Sequence, residues 1–559
     1  MPNSPFHARA QLRRLATSAA VVLASVCCFC GGVSADDDLG RVVSRMPIGV
    51  DFVAAVDDGA SLRKDLHGSP VMLAAAALSR PAAVMNAWSE FAGELGMTDA
   101  EAFDLLLGQR VILVGSQLRA DATEPPRWAI LSELDPETER SLRSLLKAVP
   151  RRIVKGQPVL EFEHGSYLLA TSNGRLVCGA DGRFENTLAS TILLLAPAAD
   201  RELFDQMLPL LRCNNPERML ADVPAGRMVE SWATRDAIVV WRIPDPLGSQ
   251  HRFVGATFGT NGDGWAIDAM AYPADGWAKK DALVTIPTWS PALLGTLPSD
   301  AALAMIGSRE SVREARAWIE PLVGNGLPDP GGDSFEHVLG RRSMLGVWIR
   351  PGEHGADSQT ELLLAMDTPD LPRLAARADA YMKETIDARL GERGRQNARV
   401  ASTPPQLSDV RSLSITGEDE RAFEELPTLS WAFVPEAASG EDAGWWLMHS
   451  FPNGQSASAD AEAAPGRSLQ EIGRMPARRY LHVGRVRPPS WSAAFNLHAA
   501  ETRRALSDEA GTALGVPALN EFVLGHIRAT NWAVWLEDSA DLLRAEFRLQ
   551  LGDTAPIVE

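Results

Sequence analysis

The chain has 559 residues, 45% of them hydrophobic, with 54 basic against 72 acidic side chains and a formal net charge of −18 at pH 7. That length calls for two or more domains rather than one core. The acidity, with no basic stripe to offset it, excludes nucleic acid and anionic lipid as partners, and five cysteines are too few for a disulfide scaffold.

At the front, Arg9, Arg13 and Arg14 precede a run without charge from Leu15 to Val33, and Val33-Ser34-Ala35 then meets Asp36-Asp37-Asp38. A basic leader, an apolar core and small residues before a polar flank make a secretory signal peptide over residues 1–35, cleaved between Ala35 and Asp36. The alternative is an uncleaved anchor, because the run approaches the length that spans a bilayer. A lipoprotein signal fits poorly, since Val26 and not a small residue precedes Cys27. Cys27, Cys28 and Cys30 have no second pair of ligands nearby and serve as apolar filler in a segment that is removed. The expectation is an acidic periplasmic or secreted protein, with no membrane insertion after processing. Cys178, in the strand-like GRLVCGA, and Cys213, in LLRCNNPE, are left as candidates for one disulfide or as two separately buried thiols.

Along the mature chain, the order of elements occurs twice. DFVAAVDDGASLRKDL (51–66) reads as a strand, a turn and a helix start, and DAALAMIGSRESVREA (300–315) repeats it. Val84, Trp88, Phe91 and Leu95 recur at helical spacing, as do Val312, Ala315, Ile319 and Val323. Leu107-Gly108-x-Arg110 is answered by Leu339-Gly340-x-Arg342, each followed by a strand. WAILSELDPETERSLRSLLKAV (128–149) and ELLLAMDTPDLPRLAARADAYM (361–382) each read as strand, turn and amphipathic helix.

Hairpins follow in both halves. YLLATSNGRLVCGA (167–180) has a turn at Ser172-Asn173-Gly174, and LSWAFV with WWLMHS takes its place later. The closing hairpins are 253–272 and 531–551. The expected fold class is therefore α+β. It consists of two sequence-diverged repeats of a strand-helix-strand-helix-hairpin module with mainly antiparallel sheets, over 36–290 and 291–559. An acidic, Ala- and Ser-rich stretch at 452–467 is expected to be a mobile loop.

The leader, the Pro47-x-x-x-Asp51 opening, the Leu-Gly-x-Arg step and the doubled layout resemble a family of large exported bacterial proteins carrying a domain of unknown function. The resemblance implies an exported α+β protein and supplies no catalytic residues.

Motifs for chemistry are sparse. The sequence holds no Gly-x-Ser-x-Gly elbow, no phosphate loop, no dinucleotide fingerprint and no His-Glu-x-x-His. Ser61–Lys64 and Ser144–Lys147 match Ser-x-x-Lys, but on amphipathic helices and with no Lys-Thr-Gly to follow. TNGDGWAID (260–268) would put Gly259 and Met270 where a calcium loop needs carboxylates, so it is a hairpin turn. Glu-His pairs at 163–164, 336–337 and 353–354 point apart in either secondary structure. No catalytic residue, metal or cofactor is assigned.

Fifteen tryptophans stand against four tyrosines. Trp445 and Trp446 are the candidates for stacking on a ligand. As neighbours in a strand they face opposite sides, so at most one is expected to be committed to a one-sided core. Trp265 and Trp532 read as anchors of the closing hairpins. The leading expectation is a non-enzymatic binding or scaffolding protein of the cell envelope, its partner an envelope protein or polysaccharide. The rival is a hydrolase or binding protein acting on carbohydrate or peptide, with its site between the halves.

Overall fold

The computed structural model describes residues 39–60, 89, 92–93, 96–116, 127–134, 137–138, 140, 151–154, 157–164, 167–173, 191–212, 219–222, 229, 237–244, 251–261, 264–272, 286–297, 300–323, 335, 337–350, 359–378, 380–382, 384, 398–402, 411–415, 428–435, 443–451, 467–488, 490, 527–537 and 542–551. The chain divides into two compact units. The first takes Met1–Lys280 with Thr512–Phe522 and Ser539–Glu546; the second takes Asp281–Gly511 with Val523–Asp538 and Phe547–Glu559.

The first unit contains ten strands among its described residues: β1 (Phe52–Val56), β2 (Val111–Ser116), β3 (Arg127–Leu134), β4 (Arg151–Val154), β5 (Gln157–His164), β6 (Tyr167–Asn173), β7 (Thr191–Pro197), β8 (Ala237–Pro244), β9 (His251–Asn261) and β10 (Gly264–Tyr272). They lie side by side in the order β4-β5-β6-β7-β3-β2-β1-β8-β9-β10, each pair antiparallel. Its helices include α1 (Leu39–Ser44), α2 (Asp99–Leu107) and α3 (Arg201–Met207).

The second unit contains β11 (Leu303–Ser308), β12 (Arg342–Arg350), β13 (Gln359–Thr368), β14 (Ala398–Ser402), β15 (Arg411–Ile415), β16 (Thr428–Pro435), β17 (Gly444–Phe451), β18 (Arg479–Val486) and β19 (Ile527–Glu537). Their order is β14-β15-β16-β17-β13-β12-β11-β18-β19, again antiparallel throughout. β19 continues to β20 (Leu542–Leu551), whose residues from Phe547 on fall in this unit. Every strand of the first unit thus has a counterpart ten places later, with the same neighbours. Helices α4 (Arg309–Val323) and α5 (Arg467–Gly473) belong here, and residues 371–378 are helical.

The α+β module of alternating strands and helices is overturned. Antiparallel strands predominate, and the helices lie on the sheet faces instead of alternating with the strands. Two misreadings explain the difference. The short segments RRIV (151–154), ARVAS (398–402) and RSLSI (411–415) are strands, though two or three apolar residues in each are too few to single them out. The tight hairpin at Ser172-Asn173-Gly174 is also absent as read, because Asn173 still pairs with Thr191 and β6 lies between β5 and β7.

Each unit buries both faces of its sheet, which is why its central strands are apolar on both sides. In the first, Val53, Ala55, Ile112, Val114, Leu131 and Leu194 pack under Leu39 and Val43 of α1 and Phe204 of α3. On the other face, Ile130, Leu134, Leu193 and Leu195 pack with Leu106 and Leu107 of α2. α2 opens with a capping box: Thr98 Oγ1 accepts from the Glu101 amide at 3.2 Å, and the Thr98 amide donates back to the Glu101 carboxylate at 2.9 Å.

The second unit repeats this arrangement. Ala304, Ile306, Met344 and Ala365 face Leu294, Leu469 and Ile472. Leu303, Met305, Leu345, Leu364 and Met366 face Val312 of α4 with Leu374 and Ala378 of the 371–378 helix.

Candidate functional site

The two Leu-Gly-x-Arg steps place a guanidinium against carboxylates at the start of β2 and β12. Arg110 is buried, and its Nη2 and Nε lie 2.5 Å from Asp57 Oδ1, with Glu133 at 3.9 Å. Arg342 donates from Nε to Asp367 Oδ2 at 2.8 Å and from its amide to Oδ1 at 2.8 Å, and its guanidinium lies 4.9 Å from the Trp445 ring centre. The glycine has a local cause in the second unit, where a Cβ on Gly340 would collide with the Asp367 carboxylate. In the first unit a Cβ on Gly108 would collide with the Asp104 carbonyl at the end of α2. Fully paired charges of this kind fix register and bring no reacting group to a surface.

Trp445 and Trp446 are both buried, at 3% and 0% exposure. They do point to opposite faces, but each face carries a core. Trp445 packs with Met344 and Trp535, while Trp446 stacks on Phe335 at 5.6 Å and meets Tyr381 edge-on. The expectation that at most one was committed to a core fails because the sheet is covered on both sides. Neither ring is presented to a ligand, and Trp446 Nε1 is buried without a hydrogen-bond partner.

The second unit also carries chemistry-bearing side chains where the first has aliphatic ones. In the row across β12, β11, β18 and β19, Ser343 pairs with Gly307, Gly307 with His482, and His482 with Val534; Gly484 pairs with Trp532. The matching row of the first unit reads Val111, Val56, Ala237 and Phe258, with Val239 paired to Ala256. Two glycines thus allow the close approach of the His482 strand position and of the Trp532 indole. A Cβ on Gly307 would lie 2.7 Å from His482 Cβ, and one on Gly484 would lie 2.5 Å from Trp532 Cζ2. The Trp532 indole N–H donates to His482 Nδ1 at 3.1 Å. Indole N–H is a donor only, so Nδ1 must be unprotonated and a neutral ring carries its proton on Nε2. Burial pushes the His482 pKa down to about 4.

On the opposite face, His449 of β17 sits 3.9 Å from the Glu361 carboxylate and 6.0 Å from the Trp348 ring centre, and Trp348 Nε1 donates to Asp300 at 3.1 Å. The signals for these sites were short: the His-x-Gly spacing of His482-Val483-Gly484 and the match of Trp532 to an alanine in the other half.

Of the other residues singled out in the sequence, His337 is exposed, Glu163 and His164 are neighbours at the end of β5, and β9 and β10 form a hairpin paired to Asn261 and Gly264. Trp265 is in that hairpin, paired with Thr260. The leader with Ala35 and Asp36, Cys178, Cys213, Ser61, Lys64, Ser144, Lys147, Glu353 and His354 lie outside the described residues, as does nearly all of the 452–467 stretch. Among the described residues no group of three or more His, Cys, Asp or Glu side chains is placed to hold a metal, and no helix is long and apolar enough to cross a membrane. No family model, curated protein or solved structure matches the chain.

Proposed function

We propose that the chain is exported and works in the cell envelope as a non-enzymatic binding or scaffolding protein whose partner is another envelope protein. The observation that carries this reading is the leader: Arg9, Arg13 and Arg14, the uncharged run to Val33, and Val33-Ser34-Ala35 ahead of three aspartates. Burial of Trp445 and Trp446 turns the choice of partner away from polysaccharide, because the two indoles singled out for stacking on sugars belong to cores. With both faces of each sheet covered, recognition falls to loops and strand edges.

The alternative is a hydrolase acting on carbohydrate or peptide, and the pairing of His449 with Glu361 favours it. Incubating the purified chain with envelope polysaccharides and peptides separates the two. The binding reading expects every substrate to remain intact. Turnover that disappears in Glu361→Gln replaces it with the hydrolase.

A further inference from the structure

We propose that the hydrogen bond from Trp532 to His482 is an acid-sensitive latch that holds β19 against β18 in the second unit and has no counterpart in the first. The geometry requires an unprotonated acceptor, since Trp532 Nε1 meets His482 Nδ1 at 3.1 Å. A proton on Nδ1 sets two N–H donors against each other and abolishes the bond.

The packing blocks an easy escape. The Cα and Cβ of His482 lie against Gly307 and the indole lies against Gly484, so an indole that swings away leaves a void. The two strands already shift register between Tyr480 and His482, leaving the pair next to the weakest point of the ladder. In the first unit the same register positions hold Ala237 and Ala256, which do not titrate.

No carboxylate on the neighbouring sheet positions offsets a charged imidazole. On that face β11 presents Leu303, Met305 and Gly307, and β12 presents Ser343 and Leu345. α4, packed over the face, carries Arg309, Glu310, Arg313, Glu314 and the buried Arg316 among its charged residues. β19 adds Arg528 toward its start, six residues from the position opposite His482. The part of the next strand, β20, that falls in this unit carries Arg548. Burial is the cause that keeps the ring neutral.

The direction of the pH effect follows. In the unfolded chain the ring takes a proton near pH 6.5, in the folded chain only near 4. From pH 6.5 down to about 4 the unfolded state binds the proton that the folded state refuses. The folded-to-unfolded ratio of the second unit therefore falls about tenfold per pH unit across that window and levels off below it.

The test compares the full chain with His482→Asn, which keeps an acceptor near the Nδ1 position and does not titrate. Urea unfolding from pH 4 to 8 should show an unfolding phase in the wild type whose equilibrium constant changes about tenfold more steeply per pH unit than in the variant below pH 6.5. A second measurement does not depend on that variant folding. The His482 imidazole, followed by NMR, should titrate near pH 4 in the wild type and at higher pH in Trp532→Phe, which keeps the ring body and removes the donor. A wild-type imidazole titrating near 6.5, or an unchanged pH slope in His482→Asn, overturns the latch.

Discussion

Trp446 has its whole side chain inside the second unit and an indole N–H with nothing to bond. Its contribution is therefore area and stacking rather than hydrogen bonding, whereas Trp445 adds a cation–π contact with Arg342. Truncating either ring to alanine should cost about 3–5 kcal/mol, and Trp446→Phe should cost far less, because it keeps the stack on Phe335 and removes an unsatisfied donor. Chemical denaturation of the three variants checks this; an alanine at either site that leaves the midpoint unchanged would show that one of the two faces is open. The strand and its alternation were legible in WWLMHS, but the fate of the two rings was not. A one-sided sheet was the natural inference from alternating sequence elsewhere, and only the covering segments, far away in sequence, decide that both sides are buried. The Leu-Gly-x-Arg step shows the opposite case. Gly340 and Arg342 were legible as a motif because one local contact, the Asp367 carboxylate, constrains both residues at once.

At the scale of elements, β18 and β19 show how a small residue specifies a strand pair. Gly484 lies directly under Trp532, and an added methyl group would also meet the Ala304 carbonyl at 2.7 Å. Neither neighbour is the loose end of a flexible chain. Gly484→Ala should therefore destabilise the second unit by about 1–3 kcal/mol, read as a lower urea midpoint, and the double variant with Trp532→Ala should recover part of the loss. Additive losses in the double variant would mean the two residues do not oppose each other. Strongly apolar strands were easy to recognise, and β11, β12, β13 and β17 lie where their hydrophobic runs place them. β4, β14 and β15 were not legible, since four or five residues with only two or three apolar side chains are too short to separate strand from loop. β6 was assigned the wrong neighbour because Asn-Gly is a strong local turn signal, yet Tyr167–Asn173 finds its partner in β7 across seventeen intervening residues.

For the molecule as a whole, the order β4-β5-β6-β7-β3-β2-β1-β8-β9-β10 recurs ten strands later with the same neighbours, while the side chains in the two copies have diverged. Divergence is uneven. The buried Arg–carboxylate pair occurs in both units, whereas His482 with Trp532 and His449 with Glu361 occur in the second at positions where the first holds Ala237 with Ala256 and Ala196 with Arg127. Shared features serve the fold, and the features confined to one copy are where a specialised property is to be sought. Function itself was barely legible, since binding surfaces leave no local pattern; only the leader and its charge boundary give a physical argument for where the protein acts. The central claim of the functional account is export with removal of that leader. Osmotic-shock fractionation of the producing cells followed by N-terminal sequencing tests it most directly. The account expects the chain in the released fraction, beginning at Asp36. A chain that keeps Met1–Ala35 and stays with the membrane or the cytosol contradicts it.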